Sequence, residues 1–264
     1  MNSSSMDKYD SQQLTGTGEA RSMAMSAAQP KEAKLYGAWG SAHAAMARNA
    51  LELKGVQYEY VEEDLERKSE TLVRLNPVHG GKVPVLVVDG RPLAESLVIL
   101  EYVDEVWPQA PRLLPPSSSP LARAAARFWA RFFHGEVSPL SRPAVFAARE
   151  EERAEAVREM RARMAVMEAG LERDFPSAAG EDGPFLLGRM PGLLDVILGS
   201  CAAGTRAISA LAGEEVVDSG ALPRVHASMA AFDELVAGFG TSVPHEVLLA
   251  RLLAREERKR AASA

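Results

Sequence analysis

Short β-type runs alternate with helical stretches between Lys34 and Trp107, and this alternation limits the segment to a mixed α/β fold. One helix is expected over Ala42–Lys54, and another is expected to open at Ser96 and run to Trp107. The pair Asp89-Gly90 between two β-type runs predicts a hairpin turn. The β-type runs are, in order, KLYGAW, VQYEYV, VPVLVV and RPL. The predicted order of elements over residues 34–107 is βαβαββα.

A proline-rich segment follows this α/β domain. Residues 108–120, PQAPRLLPPSSSP, contain five prolines and show no periodicity, which predicts an interdomain linker. Apolar residues then recur at three- and four-residue spacing, so residues 121–255 are expected to form an all-α domain. Within it the run GLLDVILGSCAAG is apolar on nearly all faces. That pattern predicts one buried helix with Asp195 as a structural cap at its start.

The two ends of the chain differ from the rest in composition. Residues 1–33 are small and polar and lack an apolar targeting segment, so they are expected to be a disordered extension. Residues 256–264 are expected to form a short charged tail.

Charge and apolar patterning exclude several classes of function. The chain has 36 acidic and 30 basic residues, a net charge of -6, and its basic residues interleave with acidic ones, so no nucleic-acid partner is expected. No apolar run approaches the ~18 residues of a membrane span, so we expect no membrane partner and a cytoplasmic protein. The sole cysteine, Cys201, lies in an apolar stretch and is interpreted as a buried, unreactive thiol. The five histidines lack metal-ligand spacing, so no metal is expected.

Three strings carry a resemblance to a known family. EEDLERKSE, LNPVHGGKVPVLVVDGRPLAESLVILEYVDEVWP and FLLGRMPGLLD resemble the tau class of plant glutathione transferases. The likeness covers nearly everything from Lys34 to about Arg206. It implies a thioredoxin-like N-terminal domain that binds glutathione, an all-helical C-terminal bundle and a homodimer. It also implies a detoxification or stress-type reaction in which the glutathione thiolate attacks a hydrophobic electrophile.

The resemblance assigns thiol activation to Ser41, in GAWGSAHAAMARNALELKG. A serine hydroxyl is a far weaker acid than a thiol, so Ser41 is expected to donate a hydrogen bond to the thiolate and not to act as a base. Its expected place at the start of the first helix favours the anion as well.

The resemblance also implies how the rest of glutathione is held. Ser96 and the helix N-terminus suit the γ-glutamyl carboxylate, and the carboxylate of Glu95 suits the neighbouring ammonium group. Lys68 and Lys82 match two lysines that the family places near the glycyl carboxylate. Val83, before a cis-proline turn at Val83-Pro84, is expected to pair through its backbone with the cysteinyl backbone.

The sequence departs from the family at the electrophile pocket. Where the family has Ser-Pro-Phe, this chain has Ala42 and His43 after the serine, and Gly204 stands where a tryptophan is frequent. We assign His43, Phe132 and Gly204 to the hydrophobic-substrate pocket. The run HGGKV contains one glycine more than the family's usual string, which is expected to shift Lys82 slightly.

Two other functions compete with this interpretation. A cysteine-type thiol enzyme would need a cysteine near Ser41, but Cys201 lies 160 positions further on. A non-catalytic carrier of glutathione or hydrophobic ligands remains the alternative, because the pocket changes would weaken turnover before glutathione binding.

Overall fold

The structure, a computed structural model, describes residues 32–109, 111–176 and 183–263 of the 264-residue chain. The extension expected at residues 1–33 therefore lies, up to residue 31, outside the described residues, while Ala33 already belongs to the first strand.

The α/β domain contains the predicted elements in the predicted order. They are β1 (Ala33–Gly37), α1 (Ala42–Leu53), β2 (Glu59–Glu62), α2 (Glu70–Leu75), β3 (Val85–Val88), β4 (Arg91–Ala94) and α3 (Ser96–Val106). The strand order is β2-β1-β3-β4, with β1 parallel to β2 and the other pairs antiparallel. The turn at Asp89-Gly90 is confirmed, and both residues have the positive φ, 46° and 79°, that a two-residue hairpin favours.

The sheet is covered by helices whose apolar residues meet in one core. Leu35 of β1, Leu51 of α1, Leu86 of β3 and Ile99 of α3 are fully buried. Burying a side chain of this size contributes about 1.5–3 kcal/mol, so the α1 and α3 contacts fix both helices against the sheet. Their N-terminal ends are thereby held in place.

The proline-rich linker is anchored on both sides. Asp104 of α3 accepts hydrogen bonds from the backbone N–H groups of Leu113 and Leu114 at 2.8 and 3.2 Å, and it pairs with the buried Lys54 at 2.8 Å. The Leu113 carbonyl accepts from the Leu193 N–H at 2.6 Å. Burial lowers the pKa of Lys54, and the Asp104 carboxylate opposes that shift. The middle of the linker is therefore part of the core.

The second domain is helical throughout its described regular elements. These are α4 (Pro120–Phe132), a π-helical turn (Phe133–Val137), a 3-10 turn (Ser138–Leu140), α5 (Ser141–Phe146), α6 (Glu150–Asp174), α7 (Leu193–Ser200), α8 (Ala202–Ala212), α9 (Pro223–Phe239) and α10 (His245–Ser263). Gly170 lets α6 approach α4 closely, because a Cβ there would stand 1.8 Å from the Trp129 ring.

Asp195 has the structural role expected of it. It is fully buried in the first turn of α7, where it accepts from the N–H of Gly192 and the N–H of Leu186, both at 2.8 Å. The hydroxyl of Ser228 in α9 donates to it at 2.6 Å. These donors stabilise the carboxylate, while burial raises its pKa. Asp195 thus ties three segments of the helical domain together.

Two predicted boundaries in this domain were wrong. The single helix expected over GLLDVILGSCAAG is two helices, α7 and α8, bent by 42°. The break follows from a tight turn at Cys201, whose N–H bonds to the carbonyl of Leu198, three residues back, at 3.0 Å. At the other end, residues 256–263 are not a separate tail, since α10 continues through them.

None of the helices within the described ranges is by itself long and apolar enough to cross a membrane. Among the described helices, one bent pair, α7 with α8, is together long and apolar enough, and α7 is mostly buried in the protein core.

Candidate active site

Ser41 is the N-cap residue of α1, as expected from the sequence. Its backbone is extended, and its Oγ accepts a hydrogen bond from the Ala44 N–H at 3.3 Å. That bond uses a lone pair, so the hydroxyl proton remains able to donate to a further acceptor. The free N–H groups of the first turn add positive potential at the same place. A partly buried hydroxyl at this position can stabilise an anion.

Ser96 and Glu95 lie at the N-terminus of α3. Ser96 is the first residue of the helix and is only 4% exposed, whereas the Glu95 side chain is exposed and pairs with His79 Nε2 at 3.1 Å. Glu95 has φ 73°, which is rare for a residue other than glycine and is found preferentially at functional sites. The two residues are adjacent in sequence, but the Ser96 hydroxyl is buried in the protein and the Glu95 carboxylate faces solvent.

Lys82 lies in the loop between α2 and β3, and Lys68, which precedes α2, reaches the same loop. Lys68 Nζ donates to the Gly80 carbonyl at 2.7 Å. Lys82 is exposed, and its backbone carbonyl accepts from Asn76 Nδ2 at 3.0 Å. The peptide bond between Val83 and Pro84 is cis, as the resemblance implied, immediately before β3.

The two glycines before Lys82 have different functions in this loop. Gly81 has φ 66°, and a Cβ there would come within 3.2 Å of the Val73 backbone, so only glycine fits without a shift. Gly80 also has a positive φ, 59°, but faces open space, and its carbonyl is the acceptor for Lys68. The glycine-rich string therefore forms a turn that connects the two lysines.

His43 lies close to charged residues from two other segments, Glu95 at the start of α3 and Lys82 before β3. Burial lowers its pKa, the carboxylate of Glu95 opposes that shift, and the charge of Lys82 adds to it. Its ring meets the ring of His134 edge-on, with centroids 5.2 Å apart. His43, two positions after Ser41, therefore lies close to Glu95, Lys82 and His134.

An apolar cavity of about 280 Å³ opens beside Ala42 and His43. It lies between the start of α1, the π-helical turn, α5, α6, α8 and α10. Its walls include Phe133, Val145, Met160, Met164, Ile208 and Leu252. Apolar walls of this kind suit a hydrophobic small molecule.

Of the three pocket residues assigned from the sequence, His43 and Gly204 line this cavity, but Phe132 does not. The ring of Phe132 packs edge-on against Trp129 at 5.4 Å, and the next residue, Phe133, takes the cavity position. Phe132 is the last residue of α4, whereas Phe133 begins the wider π-helical turn, so the two neighbouring rings point to different sides of the chain. A Cβ added at Gly204 would meet no atom within 4 Å, so this side of the cavity is open.

The C-terminal helix α10 forms one wall of a groove that was not predicted from the sequence. Leu248 and Leu252 line both the apolar cavity and a groove of about 800 Å³ that runs past Ser41. Arg251 lies over the Trp39 ring at 3.9 Å, and Arg255 pairs with Glu66 at 3.1 Å. The apolar residues spaced by four in VLLARLLA are the signal that could have identified this face of α10.

The remaining features of the site are the Cys201 thiol and the arrangement of side chains that could bind a metal ion. Cys201 lines the apolar cavity, but burial raises the pKa of its thiol to about 12, so the thiolate is not populated at neutral pH. Within the described part of the chain, no group of three or more His, Cys, Asp or Glu side chains is arranged to hold a metal ion.

Known proteins share this architecture. The family model for the glutathione S-transferase N-terminal domain matches residues 31–105. Glutathione S-transferase U10 of Arabidopsis thaliana is 37% identical over 215 residues, which is 81% of this chain and 89% of the relative.

Solved structures agree with the sequence relatives. A tau-class glutathione S-transferase from mango, Mangifera indica, has a TM-score of 0.75 and 32% identity, covering 84% of this chain and 98% of that one. Rice GST1 in complex with glutathione has a TM-score of 0.74 and 33% identity, covering 88% and 99%. The chain therefore belongs to the glutathione S-transferase family, within the tau class of plants, and is a glutathione transferase.

Proposed function

We propose that this transferase conjugates the thiolate of glutathione to hydrophobic electrophiles, and that the Ser41 hydroxyl stabilises the thiolate. The observation that carries the proposal is the position of Ser41. Its hydroxyl oxygen caps α1, so its proton remains free to donate. Ser41 lines the groove, and its neighbours Gly40 and Ala42 line the apolar cavity. A thiolate held there would face an electrophile in the cavity.

The free energy that Ser41 and the helix N-terminus can supply matches the free energy needed to lower the pKa of the glutathione thiol. Lowering a thiol pKa by about two units requires about 2.7 kcal/mol of differential stabilisation. A hydrogen bond to a charged group contributes roughly 1.5–3 kcal/mol, and a helix N-terminus roughly 0.3–1 kcal/mol. The two contributions together are sufficient without a base.

Residues around the start of α3 support the proposed binding mode of glutathione. The Ser96 hydroxyl and the N–H groups at the start of α3 suit the γ-glutamyl carboxylate, and Glu95 suits the ammonium. Lys68 and Lys82 are proposed for the glycyl carboxylate, and the Val83 backbone before the cis bond for the cysteinyl backbone. We further propose a detoxification role in the cytoplasm.

Replacing Ser41 tests the proposal. Ser41→Ala should raise the pKa of bound glutathione and slow conjugation about 10- to 100-fold, because a charge-assisted hydrogen bond is lost. The affinity for glutathione should change little. The measurements are thiolate absorbance against pH and the conjugation rate at each pH, with aryl halides and enals as electrophiles.

Two further variants separate activation from helix capping and from binding. Ser41→Gly also lacks the hydroxyl but costs only a few tenths of a kcal/mol at an N-cap, so it should lose as much activity as Ser41→Ala. Lys82→Ala should raise KM for glutathione and leave kcat nearly unchanged. An unchanged thiolate titration in both Ser41 variants would contradict the proposal, and a wild-type protein that binds glutathione without conjugating any electrophile would indicate a carrier.

A further inference from the structure

His134 connects the helical domain to the start of α3. It lies in the π-helical turn Phe133–Val137, and its Nε2 is 3.2 Å from the Ser96 hydroxyl oxygen, 38 positions earlier in the chain. Turns of this kind recur at functional sites, because the extra residue re-aims the side chains that follow. Here the turn brings an imidazole onto a buried hydroxyl.

The imidazole of His134 is neutral at physiological pH. Burial lowers its pKa to about 4, the neighbouring charge of His43 adds to the shift, and the carbonyl of Ala130 opposes it. The Ala130 carbonyl lies close enough to the ring to affect its pKa, but the buried Nδ1 atom has no hydrogen-bond partner of good geometry, so the ring proton is not held at Nδ1 and is free to occupy Nε2. A neutral ring donates from one nitrogen and accepts at the other. His134 Nε2 can therefore either donate a hydrogen bond to the Ser96 hydroxyl or accept one from it.

The hydroxyl of Ser96 can make one donated bond and accept two. If His134 Nε2–H donates to the hydroxyl oxygen, the hydroxyl proton is left for a ligand. If Nε2 instead accepts that proton, the hydroxyl presents only lone pairs, which repel an anion. The direction of this one hydrogen bond therefore decides whether the start of α3 favours a carboxylate.

We propose that His134 is a positioning residue for glutathione, whose Nε2–H holds the Ser96 hydroxyl so that its proton points at the α-carboxylate of the γ-glutamyl group. This inference rests on the proposed function. His43 supports the arrangement by packing edge-on against the His134 ring, so the two histidines connect the carboxylate end of the peptide to the thiol end.

The test compares two peptides that differ only in that carboxylate. Calorimetry gives Kd for glutathione and for 4-aminobutyryl-cysteinyl-glycine, which lacks the α-carboxylate. His134→Phe should weaken glutathione binding about five- to tenfold, the size of one lost hydrogen bond, and weaken binding of the analogue less than twofold. The kcat for conjugation should stay within about twofold, since the thiol end is untouched.

Further variants complete the design. His134→Gln keeps an N–H donor and should recover most of the affinity for glutathione. If the phenylalanine protein does not fold, His134→Leu, which also lacks a ring nitrogen, takes its place and should weaken glutathione binding by the same factor. His226→Gln, on the exposed side of α9, is the matched control and should bind both peptides as the wild type does.

If His134→Phe weakened the binding of both peptides equally, the ring would have only a structural role. If glutathione bound to His134→Phe and His134→Gln as tightly as to the wild type, the positioning role of His134 would be wrong, but the proposed function would be unaffected. Absence of glutathione binding to the wild type would overturn the proposed function itself.

Discussion

Ser41 and Ser96 both lie at helix starts, yet their surroundings differ. Ser41 borders open space, whereas Ser96 is buried and in contact with an imidazole from another domain. A short motif near each serine was enough to predict its position, because helix starts depend on a few neighbouring residues. The contact of Ser96 with His134 could not be predicted, since no local pattern relates residues on either side of a linker.

Gly204 offers a residue-scale prediction about substrate size. A Gly204→Trp side chain would enter the open side of the apolar cavity and should reduce conjugation of bulky electrophiles more than about tenfold, with the Kd for glutathione unchanged. Gly204→Ala is the control, because it adds one methyl group in free space and should stabilise α8 by about 0.5–1 kcal/mol. The measurement is kcat/KM across electrophiles of increasing size, and equal losses for small and large substrates would argue against this position of the cavity.

The histidine pair predicts how stability depends on pH. The pKa values of His43 and His134 are lowered on folding, so below an ordinary value of 6.5 the unfolded chain binds more protons than the folded one. The contribution of both histidines to stability is therefore fully present above about pH 6.5 and decreases below it, and that of His134 is lost as the pH falls through about 4. Urea midpoints at about pH 7.5 and about pH 5 should show a fall that is smaller in His134→Phe. An identical pH dependence in both proteins would contradict the assigned burial.

At the scale of elements, the sequence predicted strands and helix starts better than helix interiors. The order β1 to α3 was correct because turn residues and period-two patterns are local signals. The bend between α7 and α8 and the π-helical turn after α4 were missed, since packing against neighbouring helices decides both. The pocket position of Phe133, which follows Phe132 at the start of this turn, was missed for the same reason.

The helix α10 is expected to govern binding of the apolar substrate. Replacing Arg251 and Arg255 together with alanine removes a cation–π contact and an ion pair, each worth roughly 0.2–1 kcal/mol, that hold α10 on the first domain. KM for a hydrophobic electrophile should rise about three- to tenfold, while glutathione binding stays the same. Arg158→Ala, which breaks an exposed ion pair with Glu155 on α6, is the matched control. A rise in KM for glutathione instead would show that α10 covers a different part of the site.

At the scale of the whole molecule, exposed apolar side chains suggest where a second copy binds. Val78 and Val98 of the first domain are 82% and 50% exposed, and Leu121 and Phe128 of α4 are 82% and 55% exposed. We predict a homodimer in which the first domain of one copy packs on α4 of the other. Sedimentation at micromolar concentration should give twice the 28.4 kDa chain mass, and Phe128→Glu should shift the protein toward monomer. Monomeric wild-type protein would contradict this assembly.

The anchoring of the linker has a consequence for motion. Leu113 and Leu114 are bound to Asp104 on one side, and Leu113 to Leu193 on the other, so the segment is a rigid joint and not a hinge between swinging halves. We therefore expect any opening of the substrate entrance to involve α10, whose side-chain contacts with the first domain are individually weak. A product could then leave the site through movement of α10 alone, without any change in the angle between the two domains.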